Sequence, residues 1–279
     1  MPIRRLPSRA VERIWGRRAL PEWVAPPSAS DEPIGEIWFE YDGDAPELLV
    51  KYLFTSERLS IQVHPGDAAA RALGYPRGKD EAWFVLEATP DAVIGIGLVE
   101  KVTREELRAA ALDGSIETLL DWRPVKAGDI FYSPAGTVHA IGPGLSLVEI
   151  QQNLDLTYRL YDYGRGRELH LKAGLEVADP RPFVHHAGGF EMSAGRQVLA
   201  SGGAFTLERW RVPAGGRLDP PPNRPVTIVP IADGGMLGGE TLRAGGVWVA
   251  DESAPLSLDQ GADLLVAYPG GEAIAALLG

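Results

Sequence analysis

Between its glycines and prolines the chain carries short runs in which apolar residues dominate or alternate with polar ones. Ten have β character: IWFEY, LLVKYLF, AWFVLEA, AVIGIGL, DIFYSPA, LSLVEIQ, FTLERWRV, VTIVPIA, VWVA and DLLVAY. Many short strands separated by turn residues predict a mainly β protein, a sandwich or barrel. Residues 59–64, LSIQVH, alternate strictly. As a strand they send Leu59, Ile61 and Val63 to one face and Ser60, Gln62 and His64 to the other. Helical signals are few. Thr103 and Glu106 form a capping box at the start of REELRAAALDG, and Gly114 is a natural stop. SIETLLDW predicts a second short helix, and Asp67 is placed to cap a third, AAARALG, ended by Gly74. Residues 25–33 and 219–225 read as loops.

The pattern also repeats. VKAGDIFYSPAGTVH (125–139) resembles LRAGGVWVADESAPL (242–256), aligning Gly128 with Gly245, Phe131 with Trp248 and His139 with Leu256. An echo of this length suggests a duplicated β unit whose second copy has lost the histidine.

Polar residues that break these apolar runs gather in the first half. Gln62 and His64 share a strand face, Glu81 lies in GKDEAWFVLEA, and His139 follows Gly128, Pro134 and Gly136. In that last stretch the Gly and Pro punctuate a tight turn, after which a strand carries the histidine inward, as in the second motif of cupin β-barrels. Two imidazoles, a carboxylate and an amide oxygen suit a divalent first-row metal with room for a labile ligand. Taken singly, His64 reads as a hydrogen-bonded strand histidine and Glu81 as a surface carboxylate. His170, His185 and His186 read as loop or surface residues. Glu149, Gln151, Asp155 and Arg159 follow His139 closely.

Composition narrows the chemistry. The 279 residues suffice for two small domains or one large β domain. A net charge of −11 argues against a general nucleic-acid binder and against an anionic membrane surface. The absence of cysteine excludes disulfides, thiolate metal sites and a thiol nucleophile, so any metal takes nitrogen and oxygen ligands. No apolar run approaches the roughly 18 residues of a membrane span, and the first residues lack a secretory apolar core, so a cytoplasmic location is expected.

LSIQVHPGD, GKDEAWFVLEA, SPAGTVHAIGPG and VEIQQNLDLTYRLYDYGR together resemble the type I mannose-6-phosphate isomerases in their shorter bacterial form, over about residues 10 to 178. RIWG, GEIW and LLVKYLF resemble that family's N-terminal segments. The resemblance implies a cupin-type β-barrel (jelly roll) with a few short helices in residues 1–184, and a second, degenerate, metal-free cupin-like β domain in 185–279. It implies one Zn²⁺ per chain, or another divalent first-row metal, on Gln62, His64, Glu81 and His139. Arg159 falls on the family's essential arginine and Lys79 on a lysine near the substrate. Glu149 and Asp155 fall on acidic pocket residues, and Arg165 where longer members place a lysine. Departures occur at GEIWFEY and at Asp80, where a small residue or proline is common. The implied reaction interconverts mannose 6-phosphate and fructose 6-phosphate through an enediolate, with a proton leaving C2 and returning at C1. Glu149, Asp155 or a metal-bound water would carry it, and Lys79, Arg165 and Arg167 would meet the phosphate. A cupin metalloprotein of other chemistry and a non-catalytic sugar-phosphate-binding module are the alternatives. The partner expected is a small hexose phosphate, with no nucleic acid and no membrane; the oligomeric state stays open.

Overall fold

A computed structural model describes residues 3–24, 31–41, 46–184, 189–211 and 214–279. His185, His186 and most of the expected 25–33 loop lie outside the described residues. The fold is mainly β, and every one of the ten expected runs contains a strand. Four antiparallel sheets form two sandwiches of the cupin type. In the first, a six-stranded sheet has the order Ser8–Arg17, Ile34–Phe39, Leu48–Phe54, Leu145–Gln152, Glu81–Ala88, Ile130–Ser133. It faces a five-stranded sheet ordered Tyr158–Tyr161, Ile61–Val63, His139–Ile141, Val93–Leu98, Leu120–Pro124. Trp83, Ile94, Ile96, Phe131 and Leu147 fill the space between them. In the second sandwich a seven-stranded sheet covers a four-stranded one around Trp210, Trp248, Leu256 and Tyr268.

The two sandwiches stack back to back. Val50, Tyr52, Phe84 and Ile150 on the outer face of the six-stranded sheet pack against Phe205, Val229, Val249 and Leu265 of the seven-stranded sheet. The Leu48–Phe54 and Leu145–Gln152 strands are therefore buried along their whole length, and the first of them reads as a near-continuous apolar run, LLVKYLF. The chain also crosses between the layers at its start, where Ile3–Arg5 pairs with Trp248–Ala250.

Helices cover the outside of the five-stranded sheet. The capping box forms as expected: Glu106 N donates to Thr103 Oγ1 and Thr103 N donates to Glu106 Oε2, and the helix Arg104–Asp113 ends at Gly114 in the left-handed region. SIETLLDW splits into the short helix Ile116–Leu119 and the strand Leu120–Pro124. The helix Asp67–Ala72 has Gly66, not Asp67, at its N-cap. The Asp67 carboxylate instead accepts from Gly78 N and Gln152 Nε2, pinning a loop.

The sequence echo has a structural counterpart. Gly128 (φ +90°) and Gly245 (φ +80°) each turn the chain in a conformation open to glycine, and a strand bearing a buried aromatic follows each, Phe131 or Trp248. His139 lies in the first sandwich beside the polar cluster, whereas Leu256 is a core residue of the second.

Candidate metal centre and adjoining cavity

The strand that carries Gln62 is shorter than its alternation suggests, spanning Ile61–Val63, with His64 one residue past its end. Ile61 and Val63 pack outward among Leu107, Ala110 and Leu175 of the helices, and Gln62 and His64 turn toward the interior. Leu59 departs from the alternation and lines the internal cavity instead. Antiparallel pairing sets His139 directly opposite Gln62. The turn before His139 is tied to His64 by a hydrogen bond from Gly136 N to His64 O. Glu81 opens its strand after a tight passage in which a Cβ on Gly78 would lie 2.6 Å from Asp67 N, so only glycine fits.

His64, Glu81 and His139 meet as a result, all at most 2% exposed, with one ligand atom from each lying within 4.8 Å of the others. His64 Nε2 is 3.1 Å from Glu81 Oε1, and His139 Nε2 is 3.5 Å from Glu81 Oε2. Ligands about 2.0–2.1 Å from a tetrahedral zinc stand about 3.3–3.4 Å apart, so the spacing suits such an ion. The tautomers suit it as well. His64 Nδ1 donates to Leu156 O at 3.0 Å and His139 Nδ1 donates to Thr137 O at 2.9 Å, which leaves each Nε2 lone pair facing the centre. Gln62 lies with its amide nitrogen 3.3 Å from His139 Nε2, and a 180° flip of the amide brings Oε1 there. The buried Glu81 carboxylate faces the two imidazoles and has Lys79 as its cationic partner among the described residues, so two imidazoles and a carboxylate converge where a shared cation could sit.

The electrostatics agree. Burial lowers the pKa of His64, and lowers His139 to about 4, so both imidazoles are neutral and able to ligate. Burial alone would raise Glu81, but His64 and Lys79 outweigh it and hold the carboxyl well below its ordinary range. Lys79 Nζ stands 2.7 Å from Glu81 Oε1. Burial works against the Lys79 charge, yet Glu81 and Glu149 prevail and raise its pKa.

A cavity of about 470 Å³ opens beside this centre, lined among others by Arg13, Lys51, Gln62, Lys79, Glu149, Asp155, Arg159 and Arg167. A larger cavity of about 610 Å³, by Phe131, Phe190 and Val198, has none of these residues in its lining. Strand register builds one wall of the smaller cavity. Trp38, Lys51, Glu149 and Trp83 stand opposite one another on four neighbouring strands. Lys51 Nζ is 3.3 Å from Glu149 Oε2 and 4.3 Å from the centre of the Trp38 ring, and Trp83 Nε1 donates to Glu149 Oε1. Burial and the neighbouring Glu81 raise the pKa of Glu149, while Lys51 and Lys79 restrain it. Glu36 is held in a similar way, by Arg13 at 2.7 Å and the Trp38 indole at 2.9 Å.

Arg159, Lys79, Glu149 and Asp155 all line the cavity, Asp155 at its exposed mouth. Arg165 is not in that lining: its guanidinium donates to Asp162 and to Arg58 O. Arg167, also paired with Asp162, does line it. His170, expected to be peripheral, accepts from Arg159 N and donates its own N–H to Arg159 O, which fixes the backbone of that arginine. Lys51 and Glu36 were not among the expected site residues. Their sequence signal is a charge inside an otherwise apolar strand: LLVKYLF and GEIWF.

No family model matches the chain. Over 228 residues, 74% of this chain and 71% of the relative, it is 35% identical to the mannose-6-phosphate isomerase ManA of Bacillus subtilis. The crystal structure of the mannose 6-phosphate isomerase from B. subtilis superposes with a TM-score of 0.81 at 26% identity, covering 95% of this chain and 99% of the other. A holo, zinc-bound mannose 6-phosphate isomerase shares the fold at 13% identity, with a TM-score of 0.72 and coverage of 97% and 100%. With more than a third of aligned residues identical across most of both sequences, the chain belongs to the mannose-6-phosphate isomerase family.

Proposed function

We propose that the protein interconverts mannose 6-phosphate and fructose 6-phosphate, using one zinc ion held by Gln62, His64, Glu81 and His139. The observation that carries this reading is the buried His–Glu–His group, set beside a cavity of mixed charge. A bound divalent cation there would supply Lewis-acid stabilisation of the negative charge that develops on the sugar oxygens.

The remaining work falls to side chains around the cavity. Glu149 is the base that moves the proton between C2 and C1. It is buried, its pKa is raised, and Lys51 and the Trp83 indole fix its carboxylate. Asp155 is exposed and suits the holding of a sugar hydroxyl. Lys79, a buried cation beside the centre, offsets oxyanion charge. Arg159, whose buried Nε has no hydrogen-bond partner, and Arg167 meet the phosphate. The division after residue 184 into a metal-binding unit and a metal-free unit is part of this reading. So is a cytoplasmic location; no helix among the described residues is long and apolar enough to cross a membrane.

The test is direct. Purified protein is incubated with mannose 6-phosphate and formation of fructose 6-phosphate is followed. Turnover abolished by EDTA and restored by Zn²⁺ supports the proposal. A protein that holds metal but turns over no hexose phosphate sinks it.

A further inference from the structure

Asp80 sits between Lys79 and Glu81 and touches neither the cavity nor the ligand atoms, yet it joins three parts of the protein. Its Oδ1 accepts from Ala135 N at 2.9 Å, inside the turn that delivers His139. Its Oδ2 accepts from Tyr132 OH at 2.6 Å and from Ala204 N, at the entry of a strand in the seven-stranded sheet. Ala204 N also donates to Tyr132 OH at 3.0 Å. The backbone of Asp80 is held as well: its N–H donates to Gln152 Oε1 and its carbonyl accepts from Gln152 N. The residue beside Glu81 is thus locked to the turn of His139 on one side and to the second sandwich on the other.

From this arrangement we infer that Asp80 is a positioning residue for the metal centre and divides its work between its two oxygens. Oδ1 sets the spacing between Glu81 and His139 by anchoring the turn at Ala135. Oδ2 docks that assembly onto the second sandwich through Tyr132 and Ala204. The metal-free half then serves the centre as a brace. The inference rests on the four-residue zinc site proposed above.

The two arms separate by mutation. Zinc affinity is measured by competition with a chromogenic chelator on metal-stripped protein, and stability by chemical denaturation. Asp80→Ala removes both arms and should weaken zinc binding about 10- to 100-fold, the usual cost of losing a partner behind a ligand. Activity lost at limiting zinc should return at saturating zinc. Asp80→Asn keeps an oxygen for Ala135 N but sets an NH₂ against the Ala204 N–H; its zinc affinity should stay nearer wild type than Asp80→Ala, with a lower denaturation midpoint. Tyr132→Phe should bind zinc like wild type and lose only stability. Where Asp80→Ala does not fold, Asp80→Ser takes its place. Wild-type zinc affinity in the truncated variant, or equal loss in the Asn variant, overturns the inference while leaving the zinc site standing. A wild-type protein that binds no zinc overturns both.

Discussion

Replacing Lys51 by methionine tests the electrostatics of the cavity wall. Methionine keeps the bulk of the side chain and removes its charge. Lys51 and Glu149 are both nearly sealed from solvent, with side chains 3% and 6% exposed and 3.3 Å between Nζ and Oε2. At an effective dielectric constant of 20, a 3.3 Å pair attracts by about 5 kcal/mol. Removing one member of such a pair leaves a buried charge and typically costs about 3–5 kcal/mol. Lys79 remains to oppose the Glu149 charge, which favours the lower end of that range. The carboxylate can escape the rest by taking a proton, and the cost of doing so depends on pH. Burial already raises the pKa of Glu149 above its unfolded value, and the substitution raises it further. A raised folded-state pKa means that the stabilising contribution is complete below the unfolded value of about 4.3 and is lost as pH climbs through the folded value. Holding the group neutral costs about 1.36 kcal/mol per pH unit between its unfolded and folded values, and the wild type already bears part of that cost, so the loss caused by the substitution is small near the unfolded value and grows as pH rises. Urea unfolding of the zinc-free protein should therefore show Lys51→Met destabilised by no more than about 3–5 kcal/mol at pH 8 and by clearly less at pH 5. Adding Glu149→Gln should recover most of the loss at pH 8. Equal loss at the two pH values, or no recovery in the double variant, refutes the reasoning.

Other outcomes follow from the same geometry. Glu149→Gln should lower kcat about 10²- to 10⁴-fold with zinc content unchanged, and zinc loss instead would remove Glu149 from proton transfer. His139→Ala, which deletes one of three buried ligands, should yield protein without zinc and without turnover; metal analysis after gel filtration reads this. Burial lowers His64 and lowers His139 to about 4, so both are largely proton-free at neutral pH and zinc uptake should displace few imidazole protons between about pH 7 and 8. Affinity should then be flat across that window and fall only in more acid solution; calorimetry in buffers of different ionisation heat checks it, and release of a full proton near pH 6.5 counts against it. Arg167→Met should raise KM about 10- to 100-fold through loss of a charged contact to phosphate, while Arg165→Met should leave KM nearly unchanged.

Much of this was legible in the sequence because it depends on local pattern. The Gln-x-His pair inherits its shared face from strand alternation, and the capping box and the turn before His139 are short-range signals. What escaped depends on packing at long range. The Ser8–Arg17 strand hides behind its alternating arginine and glutamate residues, which are half-exposed at a sheet edge. Lys51 carries meaning only once Glu149 is set opposite it, ninety-eight positions away, by strand register. Arg165 and Arg167 are two apart in one loop, and only the way Asp162 gathers them decides which reaches the cavity. His170 looked peripheral because its partner is a backbone, which has no sequence signature.

The stacking of two sandwiches explains how the fold tolerates so much buried charge. In the second sandwich the interior is closed by Trp248, Leu256 and Leu258, and its buried ion pair, Arg196–Glu208, is saturated by the Trp210 indole, the Tyr268 hydroxyl and two backbone carbonyls. In the first sandwich Lys51, Glu149, Lys79 and Glu81 are buried as well, but there Lys51, Glu149 and Lys79 line a cavity, and the buried Arg159 Nε at that cavity has no hydrogen-bond partner. Unsatisfied buried groups are costly, typically about 1–3 kcal/mol each and more when charged. The six-stranded sheet withstands that cost because its other face is sealed against the second sandwich. The second sandwich contributes apolar burial that the first, with its charged interior, lacks, and the two together combine stability with a site for chemistry.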